Sequence, residues 1–199
     1  YILGNHEFYR QEYHSLLKKV ADLCDNTNVF LLNKNAIEIN KVRFLGVTLW
    51  TDYAVSNTAQ DLAMYCAKQQ LADHRLIAYK SMSNYTKFTP EQALLTHKKE
   101  LNWLEKQFES PYDGKTIVVT HHGPHTVCQH PAFPVNELSG AFHSDLDWFI
   151  EMYDIDVWMF GHSHANVDVL VNDTRIVSNQ AGYPGENVAG FTANLLIEV

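Results

Sequence analysis

The sequence predicts an α/β fold. Strand-like and helix-like patterns mix along all 199 residues, and no internal repeat or low-complexity tract interrupts them. Three times, an apolar run ends abruptly in a turn that bears histidine: at His6, at His121, and at His162 with His164. Strand ends gathered on one edge of an α/β sheet are where ligand sites form.

The elements follow in order. Tyr1-Ile2-Leu3 reads as the end of a buried strand, closed by Gly4. From about Phe8 to Cys24, Tyr13, Leu16, Leu17, Val20 and Cys24 recur at helical spacing. Residues 29–33 (VFLLN) and 35–40 (AIEIN and its flank) read as short strands. A further strand over 42–50 (VRFLGVTLW) follows the tight Asn40-Lys41 connection, which predicts a hairpin. The pattern then loosens from 54 to 89. This stretch reads as an excursion over the core and a candidate lid, with a helix over 59–73 and a loop over 81–89. Thr89-Pro90-Glu91-Gln92 carries the signature of a capped helix start, and Leu94, Leu95, Leu101, Leu104 and Phe108 continue an apolar face. KTIVVT (115–120) is a strand. Residues 122–144 are loop-like, a short helix follows near 145–153, and DVWMF (156–160) is a strand. Residues 167–171 and 174–178 form a hairpin across Asn172-Asp173, and 191–199 reads as a closing strand.

Composition narrows the function. A formal net charge of −8, with no basic run, offers no electrostatic footprint for nucleic acid. An anionic substrate would therefore need a local cation. The three widely spaced cysteines form no C-x-x-C, which argues for a reducing, cytoplasmic setting over a disulfide framework. No apolar run approaches the ~18 residues of a membrane span. The sequence opens in mid-strand without Met, so the native start, and with it any leader, lies out of view.

Eleven histidines are many for this length, and most lie between 121 and 164. Imidazole is the commonest metal ligand. His162 and His164, two apart after Gly161, can share a cavity at a strand end, and His121 is a second candidate. Asn5 offers a neutral amide oxygen. His6 beside it is free to act as an acid, and Glu7 can orient its ring. Asn5, His121, His162 and His164 are all neutral, however, whereas a two-metal site usually has a bridging carboxylate. No D-x-H occurs to supply one. Either one ion binds, or carboxylates lie upstream of Tyr1.

Several residues also have plainer readings. His122 could replace His121 as the ligand, and otherwise belongs with His125, Trp50 and Asp52 on a candidate substrate rim. The alternative for Trp50 is aromatic packing beneath the excursion. His130 lies in the same loop as His125, and Cys128-x-His130 is a weak metal pair. His14, His74, His97 and His143 read as surface or packing residues, and Asn179 through Glu186 reads as a turn that could border the substrate.

GNHE (4–7), then THHGP (120–124) after a strand, then FGHSH (160–164) after another, resemble the last three of five signature blocks of the calcineurin-like metallophosphoesterases. The hairpin and tail from 167 onward resemble small bacterial members. The resemblance implies a four-layer sandwich of two mixed sheets between helices, here incomplete at its N-terminus, as the C-terminal part of one domain spanning 1–199. It implies that Asn5, His121 and His162 ligate one divalent ion and His164 another, with Mn, Fe or Zn as the metals. His6 would protonate the leaving group and Glu7 would orient His6. The implied activity is hydrolysis of a small phosphomonoester or phosphodiester, with no membrane or nucleic-acid partner. The D-x-H and G-D-x-x-D blocks are absent, so the chain alone is expected to fold poorly and to show little activity. The rival reading is a binding scaffold of the same family that has lost catalysis.

Overall fold

The computed structural model describes residues 1–55, 58–81 and 84–199. A 3-10 turn at His6–Phe8 precedes helix α1 (Tyr13–Cys24). Arg10, with φ of 62°, separates them, so the helix starts later than its apolar spacing suggests. Glu12 caps α1 by accepting from His14 N at 3.2 Å and Ser15 N at 2.8 Å.

Strands β1 (Asn35–Ile39) and β2 (Val42–Val47) form the expected hairpin. Asn40 and Lys41 both sit in the left-handed region, at φ of 52° and 62°, as a two-residue turn matched to strand twist requires. Helices α2 (Gln60–Gln70) and α3 (Asp73–Leu76) follow. The loop expected over 81–89 is instead largely a strand pair, β3 (Ala78–Ser81) with β4 (Asn84–Lys87). Its 82–83 link lies outside the described residues, as do 56 and 57 in the expected lid. The backbone of β3 and β4 closes a ladder that their polar side chains did not advertise.

Helix α4 (Pro90–Gln107) starts with the predicted capping box. Thr89 N donates to Gln92 Oε1 at 2.7 Å, and Gln92 N donates to Thr89 Oγ1 at 3.4 Å. Then come β5 (Lys115–Thr120), α5 (Asp147–Met152), β6 (Val157–Met159), and the hairpin of β7 (Val167–Val171) and β8 (Thr174–Ser178).

The main sheet is six-stranded and mixed, in the order β1-β2-β5-β6-β8-β7. Its four inner strands are parallel, so Val47, Thr120, Met159 and Ser178 end along one edge. On one face Leu45, Val47, Val118, Trp158 and Ile176 pack with Leu104 of α4 and Phe149 and Ile150 of α5. On the other, Phe44, Ile117, Val119, Val157, Met159 and Val177 gather with Ile197. A second core of Leu3, Phe8, Tyr13, Trp50, Tyr53, Met64, Ile77, Phe88 and Ala93 lies under the 54–89 excursion.

Three expected strands are not strands here. Residues 29–33 run extended beside the first residues and share two bonds with them, Tyr1 N to Phe30 O and Leu32 N to Tyr1 O, both 2.8 Å. That pairing is too short to make a ladder, and residues 1–3 are unassigned for the same reason. Residues 191–199 are irregular and Leu196 is 87% exposed. Apolar composition cannot make a strand without an edge to pair with.

Candidate functional site

The parallel strand ends bring distant residues together, and backbone bonds stitch them. His121 N and His122 N, just past β5, both donate to Thr48 O past β2, at 3.1 and 3.2 Å. Gly161 N, past β6, donates to His121 O at 3.0 Å. Thr48 Oγ1 donates to Leu3 O at 2.9 Å, which ties the N-terminal segment to the same edge. Gly4 then passes directly against the His121 ring. A Cβ at Gly4 would lie 2.5 Å from His121 Cε1, so only glycine permits this approach. His162 and His164 have φ of 70° and 54°. Such a conformation costs a side-chain-bearing residue roughly 1–2 kcal/mol and is typical of sites where geometry overrides comfort.

The result is a tight donor cluster. His121 Nε2 lies 2.9 Å from Asn5 Oδ1 and 3.1 Å from His162 Nδ1. Ring nitrogens of His121, His122 and His162 all fall within 4.8 Å of one another. Burial pushes the pKa values of His121 and His162 well below the ordinary histidine range, with neighbouring histidines adding to the effect. Both are therefore neutral, the form that ligates metal. Two imidazole nitrogens and an amide oxygen facing one another suit a divalent transition ion, so the donor set fits the expected cofactor.

Asn5 is held by a residue that sequence reasoning missed. Its Nδ2 donates to Asp73 Oδ1 at 2.8 Å and to the Tyr9 hydroxyl at 3.4 Å. An ionised carboxylate only accepts, so Asp73 fixes which way the amide points and leaves Oδ1 facing His121. Asp73 is buried at the start of α3 and brings negative charge to an otherwise neutral set. Burial and Asp73 together push the Tyr9 hydroxyl pKa upward.

His164 stands apart from this cluster. Its Nδ1 donates to Glu186 at 2.8 Å, which leaves Nε2 as the lone-pair nitrogen. Glu186 is held in turn by Tyr183 N at 2.7 Å, and that bond, then His164, lowers its pKa. Gln180 Oε1 accepts from His164 N at 2.7 Å. His6 is exposed, with Nε2 3.2 Å from the Tyr183 hydroxyl and its ring 4.5 Å from that of Tyr9. A cleft of about 630 Å³ connects Asn5, His6, Asp73, His121, His162 and His164.

The expected partnership of Glu7 with His6 is not formed. Glu7 accepts from Tyr1 Oη at 2.8 Å and Gly4 N at 3.0 Å, so both carboxylate oxygens are committed to the turn around Gly4. The expected rim is also elsewhere. His122 is 1% exposed and belongs to the cluster rather than a rim, with its ring 4.4 Å from that of His162. Trp50 belongs to the aromatic core, as its plainer reading had it. Asp52 accepts from Ala54 N at 3.1 Å, away from the cleft. His125 accepts from Val127 N at 3.1 Å and faces Asp147 at 3.6 Å. The cleft wall is made instead by Tyr9, Asp73, His130, Phe133, Phe142 and Tyr183. His74 and His97 are buried and bonded to the carbonyls of Phe88 and Trp50. Asp73 carries no motif, and only its place in the fold reveals it; Tyr183 belongs to the 179–186 turn, of which Gln180, Gly182, Tyr183 and Glu186 line the cleft.

The calcineurin-like phosphoesterase family profile matches residues 1–166. An uncharacterised protein of Acanthamoeba polyphaga mimivirus, L509, is 27% identical over 199 residues, covering 94% of this chain and 68% of its own length. Among solved structures, the phosphopantetheinyl hydrolase PptH of Mycobacterium tuberculosis superposes with a TM-score of 0.68 at 16% identity, over 91% of this chain and 68% of that one. That likeness speaks to the fold. The family generally uses divalent metal ions, and the histidine cluster could hold one. With its mixed sheet, the histidine-bearing edge and a profile match across most of its length, this chain belongs to the calcineurin-like phosphoesterase family.

Proposed function

We propose that this chain carries the hydrolytic centre of a phosphomonoesterase or phosphodiesterase that uses two divalent ions, of manganese, iron or zinc. The observation that carries the reading is the convergence of Asn5 Oδ1, His121 Nε2 and His162 Nδ1 within 3.1 Å of neighbouring donors at one sheet edge. Bound ions would neutralise phosphoryl oxygens and lower the pKa of the attacking water.

In this reading Asn5, His121 and His162 would hold one ion, and His164 would hold the other through Nε2. Asp73 aims Asn5 and Glu186 aims His164. Glu7 keeps the Gly4 turn closed. As the oxygen of a water that has released one proton to solvent bonds to phosphorus, the bond from phosphorus to the ester oxygen would break, and protonated His6 would give the departing oxygen a proton. Tyr183 keeps the His6 ring at the cleft mouth. The four ligands are neutral, so further carboxylates are needed to bridge two ions, and the chain alone turns over little. The 54–89 excursion acts as a wall of the site through Asp73, within one domain spanning 1–199. Three cysteines without a disulfide fit a reducing compartment such as the cytoplasm. Among the described residues no helix is long and apolar enough to cross a membrane. The net charge of −8 favours small phosphoesters over long nucleic acid.

The test is His6→Ala in the full-length protein. Turnover of an alkyl phosphoester should vanish while metal content is unchanged. Normal turnover would remove His6 from its role.

A further inference from the structure

Beside the cleft lies a second cavity, of about 250 Å³. Phe133, Pro134, Leu138 and Phe142 supply its apolar walls, with His130 and Ser163 at its mouth. The two spaces adjoin, because His130, Phe133, Phe142 and Ser163 line both. Ser163 sits between His162 and His164 in sequence, and the Phe142 ring is 5.0 Å from that of His162. Anything held at His162 therefore has an apolar chamber next to it. Phe133 is 62% exposed, and its ring lies 4.9 Å from the His130 imidazole. A cavity of ~150 Å³ already takes a benzene ring. Ordinary ligand sites combine such an apolar pocket with a few polar anchors.

Resting on the phosphoesterase reading above, we propose that this chamber is the subsite for the organic half of the substrate. The preferred phosphoesters then carry an apolar group about the size of a phenyl ring, joined to the phosphate by a short linker. Polar esters of the glycerol-phosphate kind leave the chamber unfilled. Apolar pockets of this sort discriminate by about tenfold or more in kcat/KM.

The experiment compares ethyl phosphate with 3-phenylpropyl phosphate on the full-length, metal-loaded protein. Both release a primary alcohol of similar acidity, so the chemical step is matched. The phenylpropyl ester should be favoured at least ~tenfold in kcat/KM, and Phe133→Ala should narrow that ratio several-fold. Phe133 is exposed enough for the variant to fold. Equal kcat/KM for the two esters overturns the subsite and leaves the hydrolase standing. Turnover of neither ester strikes the hydrolase reading instead. Calorimetry with 3-phenylpropylphosphonate and ethylphosphonate then decides the subsite by itself. Tighter binding of the aryl compound, lost in Phe133→Ala, supports it, and equal binding overturns it.

Discussion

Asn5 Nδ2 donates to Asp73 Oδ1 over 2.8 Å, although 68 positions separate the two residues. The bond gives the Asn5 amide one orientation and sets a buried carboxylate behind a proposed metal ligand. Asp73→Asn keeps the size and removes both the charge and the obligatory acceptor. Metal affinity of the full-length protein should fall about 10–100-fold, the usual cost of losing a partner behind a ligand. Titration calorimetry with Mn²⁺ measures it, and unchanged affinity would remove Asp73 from the site.

Gly4→Ala tests the contact with His121. The added methyl would sit 2.5 Å from His121 Cε1, so the ring must move. A shift near 1 Å at such a place costs on the order of 10²-fold in rate, against an overpacking cost of about 1–3 kcal/mol in stability. Steady-state kinetics and a urea melt should show the rate hit harder than the fold.

Glu100 gives a pH prediction. It lies wholly buried on α4 and accepts from Trp50 N at 3.0 Å, and burial raises its pKa to about 7. In the unfolded chain it titrates near the ordinary glutamate value of about 4.3. Between these values the folded state holds a proton that the unfolded state has released. Stability therefore falls as pH rises through this window, by up to about 3 kcal/mol, and levels off above it. Glu100→Gln keeps an acceptor for Trp50 N and should lose this part of the slope. Urea unfolding of both proteins at pH 5 and pH 8 tests the sign.

Tyr183→Phe removes the hydroxyl 3.2 Å from His6 Nε2 and keeps the ring. Alkyl phosphoester turnover should drop about tenfold, a fraction of what general acid catalysis supplies. A nitrophenyl ester, whose leaving group needs no proton, should lose less. Equal losses with both esters would point to ring packing rather than proton delivery.

Much of this was legible in the sequence because the signals are local. The Asn40-Lys41 turn, the Thr89-Gln92 box and the histidine-bearing strand ends at His121 and at His162 are each written within a few residues. Asp73 was missed because its partner Asn5 lies 68 positions away, whereas the partners of Glu7 are close in sequence and only the folded turn chooses between them and His6. Nothing near Glu7 says that its carboxylate closes on Tyr1 and Gly4 rather than on His6. Trp50 follows a strand that leads to the site, but Phe8, Tyr13 and Phe88 claim its ring. Residues 191–199 show the converse. Their apolar pattern is strand-like, but a strand is a property of two segments, and composition describes only one.

His121 and His162 follow β5 and β6, which are neighbours in the sheet, and their ring centroids are 4.9 Å apart. That distance is the ordinary gap between paired strands, about 4.7–4.9 Å. The adjacency of β5 and β6 thus brings the two histidines side by side. The 129–142 segment that walls the apolar chamber meets that pair through Phe142, whose ring is 5.0 Å from that of His162. Changes to the chamber at Phe133, Pro134 or Leu138 should accordingly leave the two rings where they are, whereas a change at Phe142 should not.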